Sequence, residues 1–297
     1  MVGKRTPGRI LFSVCNVCVM VVIALCCIIP LWHVVIASIS DPGMVEAHSG
    51  VILWPLGKPS MNGYLYLGKY PKIWRGYAHT IGYVAAQCLI SCILVLLAGY
   101  VLSRKRFRYR NVISGFITFT MLFNGGMIPT YLVVQKLGLI DTYAAMLLPG
   151  AISVFNIIIM KTSIAQIPDS LEESARMDGA GEMTVLLRII LPLCKATFAV
   201  IILFIAVGKW NEWFSALLYL NDESKYPLQM VLRDILINLT TIKADRITGD
   251  MANQQMELYK VLMRYCSIVV ATLPILCIYP FVQKYFVTGV MIGSIKE

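Results

Sequence analysis

Six apolar runs, each long enough to cross a bilayer, limit what this chain can fold into. They lie at about Ile10–Ile36, Tyr77–Leu102, Val112–Val134, Tyr143–Ile164, Thr197–Leu220 and Tyr265–Phe286. A spanning helix needs roughly 20 mostly apolar residues. Only 14% of the 297 residues are charged, against about a quarter in soluble domains, and 58% are hydrophobic. A soluble core cannot absorb this much apolar chain in long runs. The expected fold is therefore all-α, a polytopic membrane protein with six transmembrane helices. The first run is not read as a removable signal peptide, because its apolar core is too long and no small-x-small site leads into a soluble mature domain.

The formal net charge is +10. On a soluble protein this would suggest nucleic acid, but here the basic residues gather at membrane edges. Lys4, Arg5 and Arg9 precede the first run, and Arg104, Lys105, Arg106, Arg108 and Arg110 separate the second from the third. The 135–142 connection holds only Lys136 and Asp141. By the positive-inside rule both termini, the 103–111 loop and the 165–195 loop are cytoplasmic, and no nucleic-acid partner is implied. The nine cysteines sit nearly all inside apolar runs. Cys15 and Cys18 have a CxxC spacing without a second pair or a histidine set, so the cysteines read as packing or lipid-facing residues.

Several features at membrane depth carry two readings. Asn124-Gly125-Gly126 and Pro129 fit either close helix packing or a break that lines a pore. Lys209-Trp210-Asn211-Glu212-Trp213 places ionisable groups where they are costly. Lys209 and Glu212 share a helical face and either pair with each other or serve a solute path. Trp210 and Trp213 either stack on a sugar or belong to the interfacial belt. Residues 39–76 read as a short amphipathic stretch on the outer face, and 221–262 as a long external loop too polar for lipid. No GxxxxGK[ST] phosphate loop is present, so the chain binds no ATP in the usual way. His33, His48 and His79 are scattered, and no cluster of catalytic groups or metal ligands appears.

Pro168 to Pro192 is a charged, helix-prone segment between two apolar runs. Ser170 and Glu173 have capping-box spacing, which predicts the start of a short helix. Gly179 is suited to a positive φ that ends it. Met183, Leu186, Leu187, Ile190 and Leu191 predict an apolar stripe on a second helix, broken by Pro192. Such a pair of helices is either a lever that a partner grips or an amphipathic loop resting on the membrane.

This segment resembles the cytoplasmic coupling loop of binding-protein-dependent ABC importer permeases, whose pattern is EAA-x3-G-x9-I-x-L-P. Here Glu173-Ser174-Ala175, Gly179, Ile189 and Leu191-Pro192 fit it at every position but the serine, and Asp178-Gly179-Ala180 matches the family's common DGA. GGMIPTYLVVQKLGLIDT (125–142), WNEWFSALLYL (210–220) and YPFVQKYFVTGVMIGSIKE (279–297) resemble the carbohydrate class of these permeases. The resemblance implies a type I ABC importer permease (MetI-like) fold. Residues 1–72 would hold the first helix and an external segment, 73–286 a five-helix core, and 287–297 a cytoplasmic tail. Within the core, 166–192 would be the coupling loop, docking an ATPase through Glu173, Ser174, Ala175, Asp178, Gly179 and Ala180.

The implied assembly is a multi-pass complex in the bacterial cytoplasmic membrane. It contains a second, different permease, two ATPase subunits that carry ATP and magnesium, and an external solute-binding protein that delivers a sugar. Loop 221–262 would reach the binding protein, and Gly293–Glu297 the ATPase pair. The chain itself would be no enzyme and hold no cofactor. Lys209, Trp210, Asn211 and Glu212 are the candidate substrate-pathway residues. The rival is a secondary transporter driven by an ion gradient, which needs internal repeats and intramembrane carboxylates; only Glu212 offers one.

Overall fold

The computed structural model describes residues 7–123, 125–245, 261–280 and 283. The expectations for Lys4, Arg5, Asn124, residues 246–260 of the long loop and the 287–297 tail lie outside these residues. All regular elements among the described residues are helical. The principal ones are α1 (Pro7–Ile39), α2 (Pro71–Ser103), α3 (Arg110–Leu122), α4 (Met127–Lys136), α5 (Val154–Ala165), α6 (Asp169–Met177), α7 (Glu182–Leu193), α8 (Lys195–Trp210), α9 (Leu228–Asp245) and α10 (Val261–Pro280).

Three of these, α1, α2 and α10, are singly long and apolar enough to cross a bilayer. The other apolar runs are broken, which the hydropathy pattern did not indicate. The third is divided into α3 and α4, with Gly126 at φ +91°, a backbone conformation that favours glycine, at the start of α4. Pro129 falls in the first turn of α4, where its missing N–H costs nothing. The fourth run yields a short helix at Tyr143–Leu147 and then α5, because Pro149-Gly150 interrupts the ladder between them. The fifth ends as a helix at Trp210 and resumes at Phe214–Tyr219. Much of the expected loop 221–262 is also regular: α9 occupies Leu228–Asp245.

The described residues fall into two compact units, one from residues up to Pro71 with Ile235–Leu273, the other from Lys72–Asp234 with the segment from Pro274 onward. In the first unit, α1 exposes its side chains all round from Pro7 to Trp32, a surface suited to lipid. Only its C-terminal end is packed. There Ile36 and Ala37 meet Val45, Ile52, Val261 and Tyr265. Asp41 caps the short helix Pro42–Ala47 by accepting from the Gly43 and Met44 N–H groups. His33 Nδ1 accepts from the Ile52 N–H at 2.9 Å, which accounts for that histidine structurally.

In the second unit the largest core joins Val95, Leu96, Tyr100 and Leu102 of α2 to Ile157, Met160 and Ile164 of α5, Val185, Leu186 and Ile190 of α7, and Ile201 of α8. Helices in lipid associate through close van der Waals packing and polar contacts rather than by leaving water. Gly99 provides the first: a Cβ there would lie 2.7 Å from Met160 Cγ and 3.2 Å from the Lys161 backbone nitrogen. Ser163 provides the second, sharing a 2.9 Å hydrogen bond with Thr197 and donating to Cys194 Sγ at 3.4 Å. A second tie joins the 138–142 turn to residues 219–225. Asp141 sits at φ +62°. Its N–H donates to the Tyr219 carbonyl at 2.7 Å. Its carboxylate accepts from the Asn221 and Asp222 N–H groups and from Lys225 Nζ.

Gly99→Val is expected to destabilise the chain by about 1–3 kcal/mol through overpacking against backbone, read as a lower melting temperature in detergent. The Asp222 N–H and the Lys225 ammonium hold the Asp141 carboxyl below the usual carboxylate range. A depressed carboxyl contributes stability that is present above the ordinary value of about 3.9 and is lost as pH falls below it. Asp141→Asn, which tolerates the same backbone, should melt below wild type at pH 7, with the gap closing as the pH is taken below about 4.

Candidate functional site

The segment between α5 and α8 forms the two helices α6 and α7, joined by a turn at 178–181. α6 begins at Asp169 with Pro168 as its N-cap and no side-chain cap, so Ser170 and Glu173 do not form the expected capping box. Proline supplies the extended entry at φ −58°, ψ 132°, and Asp169 and Glu172 put negative charge at the helix's positive end. The end of α6 is as expected. Gly179 takes φ +83° and donates to the Arg176 carbonyl at 3.0 Å, while the Ala180 N–H reaches back to the Ala175 carbonyl at 2.9 Å. These two bonds constitute a Schellman motif, which satisfies the orphan carbonyls and turns the chain sharply.

α7 is seated by Val185, Leu186 and Ile190, all buried, whereas Met183 and Leu187 of the expected stripe are exposed. The stripe moves because residues Leu186–Ile190 adopt a wider π turn, and the Leu191 N–H bonds to the Leu186 carbonyl. The turn lies directly upstream of Pro192, whose ring would otherwise crowd the carbonyl four residues back. The break therefore falls at Cys194 rather than at Pro192, where α7 and α8 meet at 84°.

The inner face of α6 and the loop after α2 line a groove of about 790 Å³, with Tyr100, Arg104, Lys105, Arg106, Asp169, Glu172, Arg176 and Glu182 among its walls. Six of these charged side chains are matched in ion pairs. Glu172 is buried and pairs with Arg104, with Arg176 at 3.8 Å. Lys105 meets Asp169 at 2.9 Å, and Arg176 meets Glu182 at 2.8 Å. Tyr100 donates to Glu182 at 2.6 Å, and the Arg104 guanidinium lies 4.6 Å from the centre of the Tyr100 ring. Burial pushes the Glu172 carboxyl above its ordinary value, and Arg104 and Arg176 draw it partly back. Lys105 holds the Asp169 carboxyl low.

The six residues singled out from the motif lie close together on α6 and the turn that follows it. Glu173, Ser174, Asp178 and Gly179 are exposed, and Ala175 and Ala180 pack partly against the core. Sequence reasoning missed Glu172 and Arg104. The two adjacent glutamates differ by one helical step of about 100°, which buries Glu172 and leaves Glu173 exposed. The basic run was read for topology only, although its first member pairs with this acid.

The other four candidates occupy the end of α8. Lys209 and Trp210 are buried. Lys209 donates to the Met146 carbonyl and pairs with Glu212 at 2.5 Å, so Glu212 is neutralised by its neighbour. Asn211 is exposed, and its amide donates to the Val207 carbonyl at 2.9 Å. Trp210 lies 6.1 Å from the Tyr77 ring, and Trp213 lies under the Arg233 guanidinium at 4.9 Å.

Residues 94–292 match the family of binding-protein-dependent transport system inner membrane components. Protein LplC of Bacillus subtilis is 39% identical over 97% of this chain and 96% of its own length. The polygalacturonan/rhamnogalacturonan transport system permease protein YtcP of Bacillus subtilis is 38% identical over 92% of this chain and 94% of its own length. Among solved structures, a bacterial ABC transporter involved in the import of the acidic polysaccharide alginate superposes with a TM-score of 0.83 at 31% identity. It covers 96% of this chain and 100% of its own.

The Cβ of a residue replacing Gly179 would meet nothing within 4 Å. Any cost of substitution there is purely conformational. Gly179→Val should therefore fray the end of α6 at a cost of about 1–2 kcal/mol, whereas Gly179→Asn should be milder. Faster amide exchange at residues 178–180 in the valine variant checks it.

Proposed function

The chain belongs to the family of binding-protein-dependent transport system inner membrane components, and from that premise we propose that it is the permease subunit of an ATP-driven importer of oligosaccharides. The observation that carries this reading is its near end-to-end likeness to permeases of sugar transport. Members of this family are permeases and not enzymes. The hydrolysis that drives uptake falls to separate ATPase subunits, which supply ATP and its magnesium. A second permease and an external solute-binding protein complete the complex. One relative is named for polygalacturonan and rhamnogalacturonan, and the transporter of known structure imports an acidic polysaccharide. Fragments of an acidic polysaccharide are therefore the first cargo to test.

In this reading both termini and the lever at 166–192 face the cytoplasm, as the basic flanks suggest. The exposed side chains Glu173, Ser174 and Asp178, with Gly179 and the half-buried alanines Ala175 and Ala180, form the ATPase-docking surface. Glu173 is exposed where it lines the groove and offers its charge to a basic residue of the ATPase. The rigid turn at Gly179 transmits a pull on α6 to α7, and through the 84° bend to α8. Alternation of the cavity between the two sides of the membrane follows from paired movement of two such levers. Lys209, Trp210, Asn211 and Glu212 stand along the pathway. Lys209 and Glu212 hold the break after α8, and Asn211 presents a polar surface.

The test is reconstitution with the cognate ATPase, second permease and binding protein in vesicles. ATP-driven uptake of acidic oligosaccharide is expected, and Glu173→Lys should abolish both ATPase binding and uptake. Uptake that needs no ATPase, or a Glu173→Lys variant that couples normally, overturns the reading in favour of a gradient-driven transporter.

A further inference from the structure

We propose that Arg104 and Glu172 are positioning residues that latch α6 to the end of α2, and that α2 thereby carries movement of α6 to residues 223–231. The proposal rests on the importer reading for what moves α6, but the latch itself does not depend on it. Covalent continuity connects α6 only to α5 and α7. No backbone link joins it to α2, so any force reaching α2 must pass through side chains. Of the four ion pairs in the groove, Arg176–Glu172 lies within α6, and Lys105–Asp169 is exposed and carries little energy. Arg176–Glu182 connects α6 to α7. Arg104–Glu172 alone both spans from the α2 end to α6 and is buried, with 16% and 6% of the two side chains exposed. Separating the pair strips the half-buried Arg104 of its carboxylate and leaves Glu172 only Arg176 at 3.8 Å, so the two elements move together. Tyr100, under the Arg104 guanidinium and bonded to Glu182, and the packing of Val95 and Leu96 against Val185 and Leu186 complete the seat.

The other end of α2 is seated equally closely on the segment that follows Asp222. Thr80 Oγ1 accepts the Leu228 N–H at 2.8 Å in a buried contact. A Cβ at Gly76 would stand 3.1 Å from Leu228 Cα. Tyr83 donates to the Lys225 carbonyl at 3.1 Å, and Lys72 pairs with Glu223. Between these two seats α2 is a single helix of 33 residues with no proline after Pro71, about 50 Å long at 1.5 Å per residue. α3, α4 and α5 are each interrupted or short; α2 is the one continuous rod in its unit among the described residues that is held at both ends. In the importer, residues 223–231 lie on the outer side, so α2 would report the state of the ATPase to the segment nearest the binding protein.

Two arms test this. The first uses the purified chain alone in detergent. Amide exchange over residues 169–180 should rise at least about fivefold in Glu172→Gln and Arg104→Gln and stay at wild-type level in Lys105→Gln. Unchanged exchange in the first two variants overturns the latch. The second uses the reconstituted complex. Glu172→Gln and, from the other end, Thr80→Val should each assemble with the ATPase and keep unstimulated hydrolysis within about twofold. Stimulation by loaded binding protein should fall at least about fivefold, and the double variant should be no worse than either single one. Equal loss of unstimulated and stimulated hydrolysis marks a merely structural role and overturns the transmission claim, as do effects that multiply in the double variant. A wild-type complex that shows no ATP-driven uptake sinks the importer reading, while the exchange arm still decides the latch.

Discussion

In the hydrocarbon layer a backbone amide has no water to bond to, so a chain that crosses it must satisfy its own donors and acceptors. Unbroken helices do so automatically. This chain breaks its helices repeatedly, and at several breaks in the second unit a polar side chain bonds a freed backbone carbonyl. Gln87 donates to the Gly150 carbonyl where the fourth apolar run is interrupted. Lys209 donates to the Met146 carbonyl at the end of the preceding short helix. The Asn211 amide and backbone N–H both return to the Val207 carbonyl as α8 ends. Ser163 sits against Cys194 at the bend between α7 and α8. Lys209, with Glu212 beside it, is thus tied to the backbone at one of these breaks.

The lever at 166–192 combines two kinds of order. Its shape is local: the extended entry at Pro168, the left-handed Gly179 and the π turn ahead of Pro192 are each set by neighbours in the chain. Its position is tertiary: Glu172, Val185, Leu186 and Ile190 hold it against α2 and α5. Of two adjacent glutamates, Glu172 is buried against the base and Glu173 is exposed.

The basic run after α2 also has a double use. Its abundance satisfies the preference for positive charge on one side of the membrane, and its first two members are consumed by pairs with α6. The same run that suits a membrane edge therefore also holds α6 once the chain is folded. At the other end of α2, Lys225 and Asp141 make a comparable tie, there stabilising a residue in the left-handed region that lacks glycine's freedom.

Much of this was legible in the sequence. The apolar runs require a helical membrane protein because no other spanning structure satisfies their backbone, and the spacing from Glu173 through Gly179 to Pro192 marks a turn between two short helices because glycine and proline act on their own few neighbours. Hydropathy averages over about 20 residues, so it could not resolve the interruptions at Pro149-Gly150, at 211–213 and at Cys194. Propensity and spacing placed the helix start at Ser170, but the chain used Pro168. The choice of Glu172 as the buried acid, the partner Arg104 some 68 positions earlier, and the seat of Leu228 on Thr80 depend on contacts between distant segments. Sequence alone determined what could be helical and where it must turn, since those are short-range effects. Which charges are buried together was decided only by tertiary structure, because desolvation depends on everything that packs around them.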